Sequence, residues 1–449
     1  MTNVALRGKS DARDPHVRFD EGEVAPAAMP RRGSLLYKRD MSYLANTPIA
    51  VLGAGAVGKT NAADCKLAGR EVRLYSRSKK SLANIEKTGI LLDGIQRNLY
   101  GFERSGRAYP DLVSTDMATV VRDAKLILLS IPALCHEHYL RTLVPLLEDG
   151  MVIHTFTDNY ASLLLRKFMR EMGCKKDVII GGWSSAPYGT RIEKIFGFWT
   201  NHVGVKYRAI SLRGACLPMS DIDDFMESVK YLPCMDSVTK GNGPVVGDTM
   251  LDIGFSNVNP VIHVPASLLG VSSMENWSLV YGNAPDSYSM YSHGLCPSIC
   301  RVQYQFYKEE CAIADAIGIK SPYYSYEMFF SRRSVLTQEY MGLDENGKDN
   351  VVFPLDKPCD EGNTGPNDIN HRYITEDIPV GCKIYHDLGV KFGVPTPIID
   401  SMIVLGGAMH EKSFFDETRY NLDYLGIGHM AKDEMLDYLR TGKFTPPKS

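Results

Sequence analysis

With 449 residues, 44% of them hydrophobic and 10% aromatic, the chain can fill more than one core, so two domains are expected. Lys and Arg number 50 against 53 Asp and Glu, a net charge of -3 with no long basic run, which argues against a nucleic-acid partner. No segment approaches the roughly 20 apolar residues needed to cross a bilayer and no apolar secretory core follows Met1, so a cytoplasmic protein with no membrane partner is expected, a monomer or homodimer.

Residues 1–46 mix Arg, Asp, Pro and Gly without apolar periodicity, which predicts a flexible tail. Its acids, Asp11, Asp14, Asp20, Glu21 and Glu23, argue against an organelle transit peptide. From residue 47 the pattern changes. IAVLG predicts a buried parallel strand, AVGKTNAADCKLAG a helix ending at Gly69, and EVRLYS a second strand. Further strands are expected at AKLILLSIP (124–132) and GMVIHTF (150–156), with helical stretches such as HEHYLRTLVPLLE between them. Strands alternating with helices imply a doubly wound, mostly parallel α/β sheet, here placed at 47–245.

Gly53, Gly55 and Gly58 are spaced as GxGxxG directly after a strand and at the start of a helix, the setting of a dinucleotide-binding loop. Gly53 allows the tight turn, Gly55 lets backbone approach a pyrophosphate, and Gly58 permits close packing of the helix on the sheet. The helix N-terminus, with Ala56 and Val57 in its first turn, offers free N–H groups to phosphates. At the end of the second strand, where NAD-specific sites usually carry an acid, the chain has Ser76, then Arg77, Ser78, Lys79 and Lys80. No carboxylate is there to repel a 2'-phosphate and several cations are there to attract one, so NADP is favoured over NAD.

After about residue 245 helical patterns dominate, predicting an all-α domain at 246–449 and a cleft between the halves, where ligands commonly bind. In VNPVIHVP (258–265) Pro260 suits a first helical turn and Asn259 a cap, placing His263 one turn inside on the face of Asn259. His293, Cys296, Cys300 and Cys311 lack the paired spacing of zinc sites, and the ten cysteines include no CxxC pair, so neither metal nor a disulfide framework is expected. The loop-rich stretch 344–370 is a candidate lid over the cleft, or a solvated loop. It leads into HRYITEDIPVG (371–381), where Asp377 by itself could simply cap the following helix.

NPVIH (259–263) followed by RYITEDIP (372–379), together with GVPTPIID (393–400) and PYGTR (187–191), resembles the opine dehydrogenases, the octopine and nopaline dehydrogenase family, over most of the chain. The resemblance implies a reductive condensation: an amino acid's amino group joins the carbonyl of a 2-keto acid, often pyruvate, and the imine is reduced with NADH or NADPH. It places the catalytic histidine at His263, its carboxylate partner at Asp377, and the arginine near the cofactor pyrophosphate at Arg372. A histidine is the side chain best suited to exchange a proton near neutral pH, and a carboxylate on its other nitrogen fixes the tautomer. Substrate carboxylates call for arginine forks, and Arg191, with Asn259 beside the histidine, is a further substrate-binding candidate.

Two alternatives stand beside this reading. A ketopantoate reductase or glycerol 3-phosphate dehydrogenase-like oxidoreductase shares the LGAGAVG and LYSRS region but is expected to rely on a lysine at the hydride-transfer site. A non-enzymatic nucleotide sensor would keep the fold without turnover.

Overall fold

The computed structural model describes residues 39–94, 104–195, 198–330, 339–341 and 364–447. Its strands are β1 (Ile49–Leu52), β2 (Val72–Tyr75), β3 (Ile90–Gly94), β4 (Gly106–Ala108), β5 (Leu112–Ser114), β6 (Leu126–Leu129), β7 (Val152–Phe156), β8 (Ile179–Trp183), β9 (Tyr188–Ile195), β10 (Phe198–Cys216), β11 (Gly243–Val246) and β12 (Glu339–Met341). They form one sheet in the order β4-β3-β10-β8-β7-β6-β1-β2-β5, with β9, β11 and β12 paired to β10. The centre, from β8 through β7, β6, β1 and β2 to β5, is parallel throughout. β10 runs antiparallel to β8 and folds back on β9 as a long hairpin.

The central strands carry short, nearly continuous apolar runs because helices cover both faces of the sheet. IAVL and LILL are buried at every position. Alternate residues serve different cores: Ile49, Val51, Leu126 and Leu128 face one cluster, whereas Ala50, Leu52, Ile127 and Leu129 face another that continues through Val261, Ile313 and Ile384 of the helical half. The nucleotide-type sheet and the helices thus share a core and belong to one compact unit, Arg39–Ser449. After β11 the chain is mainly helical, with helices at Met250–Phe255, Val258–Leu269, Pro297–Ile317, Lys383–Phe392, Pro397–Met409 and Lys432–Thr441. Among the described residues the short strand β12 is the exception, returning to pair with β10. No helix among the described residues is long and apolar enough to cross a membrane.

Two expectations change here. Residues 39–46 were expected in the N-terminal tail, but Met41 and Leu44 are buried and Ser42–Ala45 forms a 3-10 turn, so this stretch belongs with the fold; residues 1–38 lie outside the described residues. The cap of the His263 helix is Asn257 rather than Asn259. The Asn257 side chain accepts from the Asn259 N–H at 3.1 Å, so the helix begins at Val258.

The helix Ala56–Leu67 is buried on polar as well as apolar faces, because β9, β3 and β4 cover the side turned away from β1. Its Asp64 is fully buried and accepts from Arg104 Nε at 2.7 Å, Arg208 Nη1 at 3.0 Å and the Tyr188 hydroxyl at 2.8 Å. Removing the carboxylate leaves the buried Arg208 without its acidic partner and Arg104 with Asp236 alone. Asp64→Ala is therefore expected to cost about 3 to 5 kcal/mol of unfolding free energy, measured by chemical denaturation, whereas a loss below about 1 kcal/mol, the range of surface pairs, would contradict this role.

Candidate active site

The glycine loop links β1 to the helix Ala56–Leu67, and crowding dictates two of its glycines. Gly53 has φ +119°, and a Cβ on it would lie 2.3 Å from the Ser130 carbonyl oxygen; a Cβ on Gly58 would lie 1.9 Å from the Gly53 carbonyl oxygen. Gly55, the N-cap, faces open space. The first intrahelical bond is donated by the Lys59 N–H to Gly55 at 2.9 Å, so the N–H groups of the preceding turn, including Ala56 and Val57, have no intrahelical acceptor.

Over this loop opens a cavity of about 700 Å³, bounded by Gly53, Gly55, Ser76, Arg77, Ser130 and Asn201 among others. At the end of β2 the buried Ser76 accepts from the Ser78 N–H at 3.2 Å, in the position where an acid was missing from the sequence. Arg77 is exposed at the rim, its guanidinium donating to Cys135 Sγ at 3.4 Å, and Lys80 joins the lining. Free N–H groups, a surface with room for backbone approach, and cations without an opposing acid are the donor set that a nicotinamide dinucleotide requires.

In the helical half the chain brings together two residues 114 positions apart. His263 Nδ1 lies 2.8 Å from Asp377 Oδ2, and both side chains are buried. Asp377 follows the short helix Arg372–Thr375 and makes no side-chain cap, so its carboxylate is committed to the imidazole. Three further tyrosine contacts or links define the ring's surroundings. The Tyr373 ring stacks on it with centroids 3.6 Å apart and 15° between planes; the Tyr291 hydroxyl sits 3.0 Å from Nε2; and Arg191 Nη2 donates to the Tyr373 hydroxyl at 2.8 Å.

Burial drives this pair toward its uncharged forms. It pushes the Asp377 carboxyl up to about 7, against the opposing pull of Arg372. It holds His263 well below the ordinary histidine value, and the positive charges of Arg372 and Arg191 act in the same direction. The pair therefore titrates as a unit that holds one proton up to about neutrality, the proton lying on either partner of the short bond. An imidazole so oriented, with Nε2 turned from its carboxylate, can give up or receive a proton there.

Two features tie the dyad to the cavity. The buried Glu376, next to Asp377, accepts from the Ala133 N–H at 2.8 Å, and Ala133 follows Ile131 and Pro132 of the cavity wall. On β9, Ile192 lines the cavity while its neighbour Arg191 reaches Tyr373. Arg372 is exposed, its Nε 3.8 Å from Glu376 Oε2. Asn259 is half-buried in the first turn of the histidine helix and makes no side-chain hydrogen bond among the described residues. Of the expected lid, residues 344–363 lie outside the described residues; beyond them Gly365 pairs with the backbone of Tyr288 and Met290, beside Tyr291.

Sequence reasoning missed Tyr291, Tyr373 and Lys59, and gave no role to Glu376. Tyr373 and Glu376 stand inside the quoted RYITEDIP, and Lys59 directly follows the glycine loop, so adjacency to a motif was the available signal; nothing in SMYSHG marks Tyr291.

Comparison with known proteins agrees with this geometry. The profile described as NAD/NADP octopine/nopaline dehydrogenase, alpha-helical domain, matches residues 246–410, and that of ketopantoate reductase PanE/ApbA matches 49–160. The chain is 27% identical over 388 residues to an opine dehydrogenase of Arthrobacter sp. (strain 1C), covering 85% of this chain and 96% of that one. It is 22% identical over 321 residues to the octopine dehydrogenase of Mizuhopecten yessoensis, covering 68% and 74%. The fold is similar to that of an octopine dehydrogenase solved with NADH and L-arginine, with a TM-score of 0.59 at 19% identity, covering 90% of this chain and 100% of that one.

His263→Gln is expected to keep dinucleotide binding and lose about a hundredfold to ten-thousandfold in turnover, and Asp377→Asn to lose turnover while staying folded. Because the pair retains its proton up to about 7 and releases it above, wild-type reductive turnover should fall as pH rises through neutrality and oxidative turnover should rise. Steady-state kinetics in both directions, with circular dichroism on the variants, check this; a His263→Gln enzyme above about a tenth of wild-type turnover with the same pH profile removes His263 from proton transfer.

Proposed function

The chain belongs to the opine dehydrogenase family, NAD(P)-dependent oxidoreductases acting on CH–NH bonds, and on that premise we propose that it joins the amino group of an amino acid to the carbonyl of a 2-keto acid such as pyruvate, and catalyses the reverse oxidation. The observation that carries the proposal is the buried bond between His263 and Asp377 beside a cavity suited to a dinucleotide. A reduced nicotinamide bound in that cavity supplies the hydride. The protein supplies the proton. Condensation releases water and leaves an imine; reduction then adds hydride to the imine carbon and a proton to the nitrogen, giving a secondary amine.

His263 Nε2 is the proton source, in the place where the Tyr291 hydroxyl now stands. Asp377 holds Nδ1 and offsets the imidazolium charge before transfer. The Tyr373 ring fixes the plane of the imidazole by stacking. Arg191 and Arg372 approach the dyad from opposite segments and offer guanidinium forks for the carboxylates that both substrates carry. Bound carboxylates would offset the two positive charges that depress the proton affinity of His263, so substrate binding itself primes the donor.

NADP(H) is the favoured cofactor, supported by Ser76 in place of an acid and by Arg77 and Lys80 at the cavity. Loss of NADPH absorbance should require both pyruvate and an amino acid when a panel of amino acids is tested. Arg77→Ala should raise the Michaelis constant for NADPH more than that for NADH. Oxidation with the keto acid alone would favour a simple keto-acid reductase, and a strong NADH preference unaffected by Arg77→Ala would reverse the cofactor assignment.

A further inference from the structure

Lys59, the first residue after the glycine loop, lines the dinucleotide cavity yet is only 4% exposed. The other cations packed near its helix, Arg104 and Arg208, have carboxylate partners: Asp64 pairs with both, and Asp236 pairs with Arg104 as well. Lys59 has no carboxylate within ion-pair distance among the described residues. Its ammonium donates to Asn201 Oδ1 at 2.8 Å, a neutral acceptor on β10. That amide is itself oriented, because Asn201 Nδ2 donates to the Ala83 carbonyl at 2.9 Å and so turns its oxygen toward the lysine.

An ammonium has three donors, and this one spends a single donor on a neutral group. Burial lowers its pKa to about 8, which still leaves it mostly charged at neutral pH. A buried charge without a counter-charge is unfavourable, and retaining one in the wall of a cavity makes sense where the ligand brings the opposite charge. Arg77 and Lys80 face the same cavity from exposed positions, where solvent screens them. Lys59 is the desolvated cation of the set.

Resting on the dinucleotide reading above, we propose that Lys59 is a binding residue for a phosphate group of the cofactor, held over the cavity by Asn201. The phosphate chemistry is common to the pyrophosphate that links the two nucleosides and to a 2'-phosphate on the adenosine ribose. Either would accept the ammonium's unused donors and supply the missing negative charge, in a site where charge-assisted hydrogen bonds are strong.

The test is equilibrium binding of NADPH and of NADH, followed by calorimetry on wild-type protein and on Lys59→Met, Lys59→Arg and Asn201→Asp, with thermal melting of each as a folding control. Lys59→Met should weaken binding about tenfold to a hundredfold, the worth of a hydrogen bond to a charged group. A loss for both dinucleotides identifies the pyrophosphate as the partner; a loss for NADPH alone identifies the 2'-phosphate. Lys59→Arg, which keeps the charge, should recover part of the affinity. Asn201→Asp places a carboxylate against the ammonium and should weaken binding in the same pattern as Lys59→Met, which keeps the test decisive if the methionine variant does not fold. Wild-type affinity for both dinucleotides in a folded Lys59→Met or Asn201→Asp protein would overturn the proposal. Failure of wild-type protein to bind either dinucleotide would instead overturn the reading on which it rests.

Discussion

The short bond between His263 and Asp377 is the constraint around which the cleft is organised. It fastens the helix Val258–Leu269 to the segment after Arg372–Thr375, two pieces of chain that sequence separates widely. A lone carboxylate or imidazolium at that depth would carry a buried charge with no partner to offset it. Together they hold one proton across the short bond. The stacked Tyr373 ring fixes the imidazole plane, and Asp377 at Nδ1 leaves Nε2 facing the Tyr291 hydroxyl.

The dinucleotide half solves a different problem, that of bringing backbone close to a highly charged ligand. Crowding at Gly53 and Gly58 is severe, since added Cβ atoms would meet backbone oxygens that cannot move independently of the sheet. The polar side chains of the helix that follows are buried under the β9 and β10 hairpin, and this hairpin links the two halves of the site. Asn201 on β10 holds Lys59 at the cavity, and Arg191 on β9 holds Tyr373 against the His263 imidazole. A shared scaffold therefore sets the position of the cation near the dinucleotide and of the ring stacked on His263.

Much of this was legible in the sequence wherever the determinant is local. The glycine loop, the apolar runs of β1, β2, β6 and β7, and the helices on either side of them follow from short-range spacing and from burial on both faces of the sheet. NPVIH and RYITEDIP identified the dyad because a family resemblance supplied the pairing that separation in the chain conceals. The helix start was displaced by two residues because Asn257 and Asn259 are both good caps, and only tertiary packing selects between them. β10 was not anticipated: its stretch TNHVGVKYRAISLRG alternates Val203, Val205 and Ala209 with polar residues, a usable strand signal, but charges and bulged pairing with β9 obscure it. Tyr291 and the Lys59–Asn201 contact arise from segments that meet only in the folded chain.

The central claim is that hydride and proton are delivered to an imine formed from two substrates, with the proton coming from the His263–Asp377 pair. It is tested most directly by tracing the hydride. With NADPH deuterated at the transferable position, pyruvate and an accepted amino acid, mass spectrometry should find one deuterium in a secondary amine whose mass is that of the two substrates less water plus the added hydrogens, bonded to the former keto carbon. His263→Gln should give the same labelled product far more slowly. Deuterium appearing in free lactate, or a product formed without deuterium, would contradict the account.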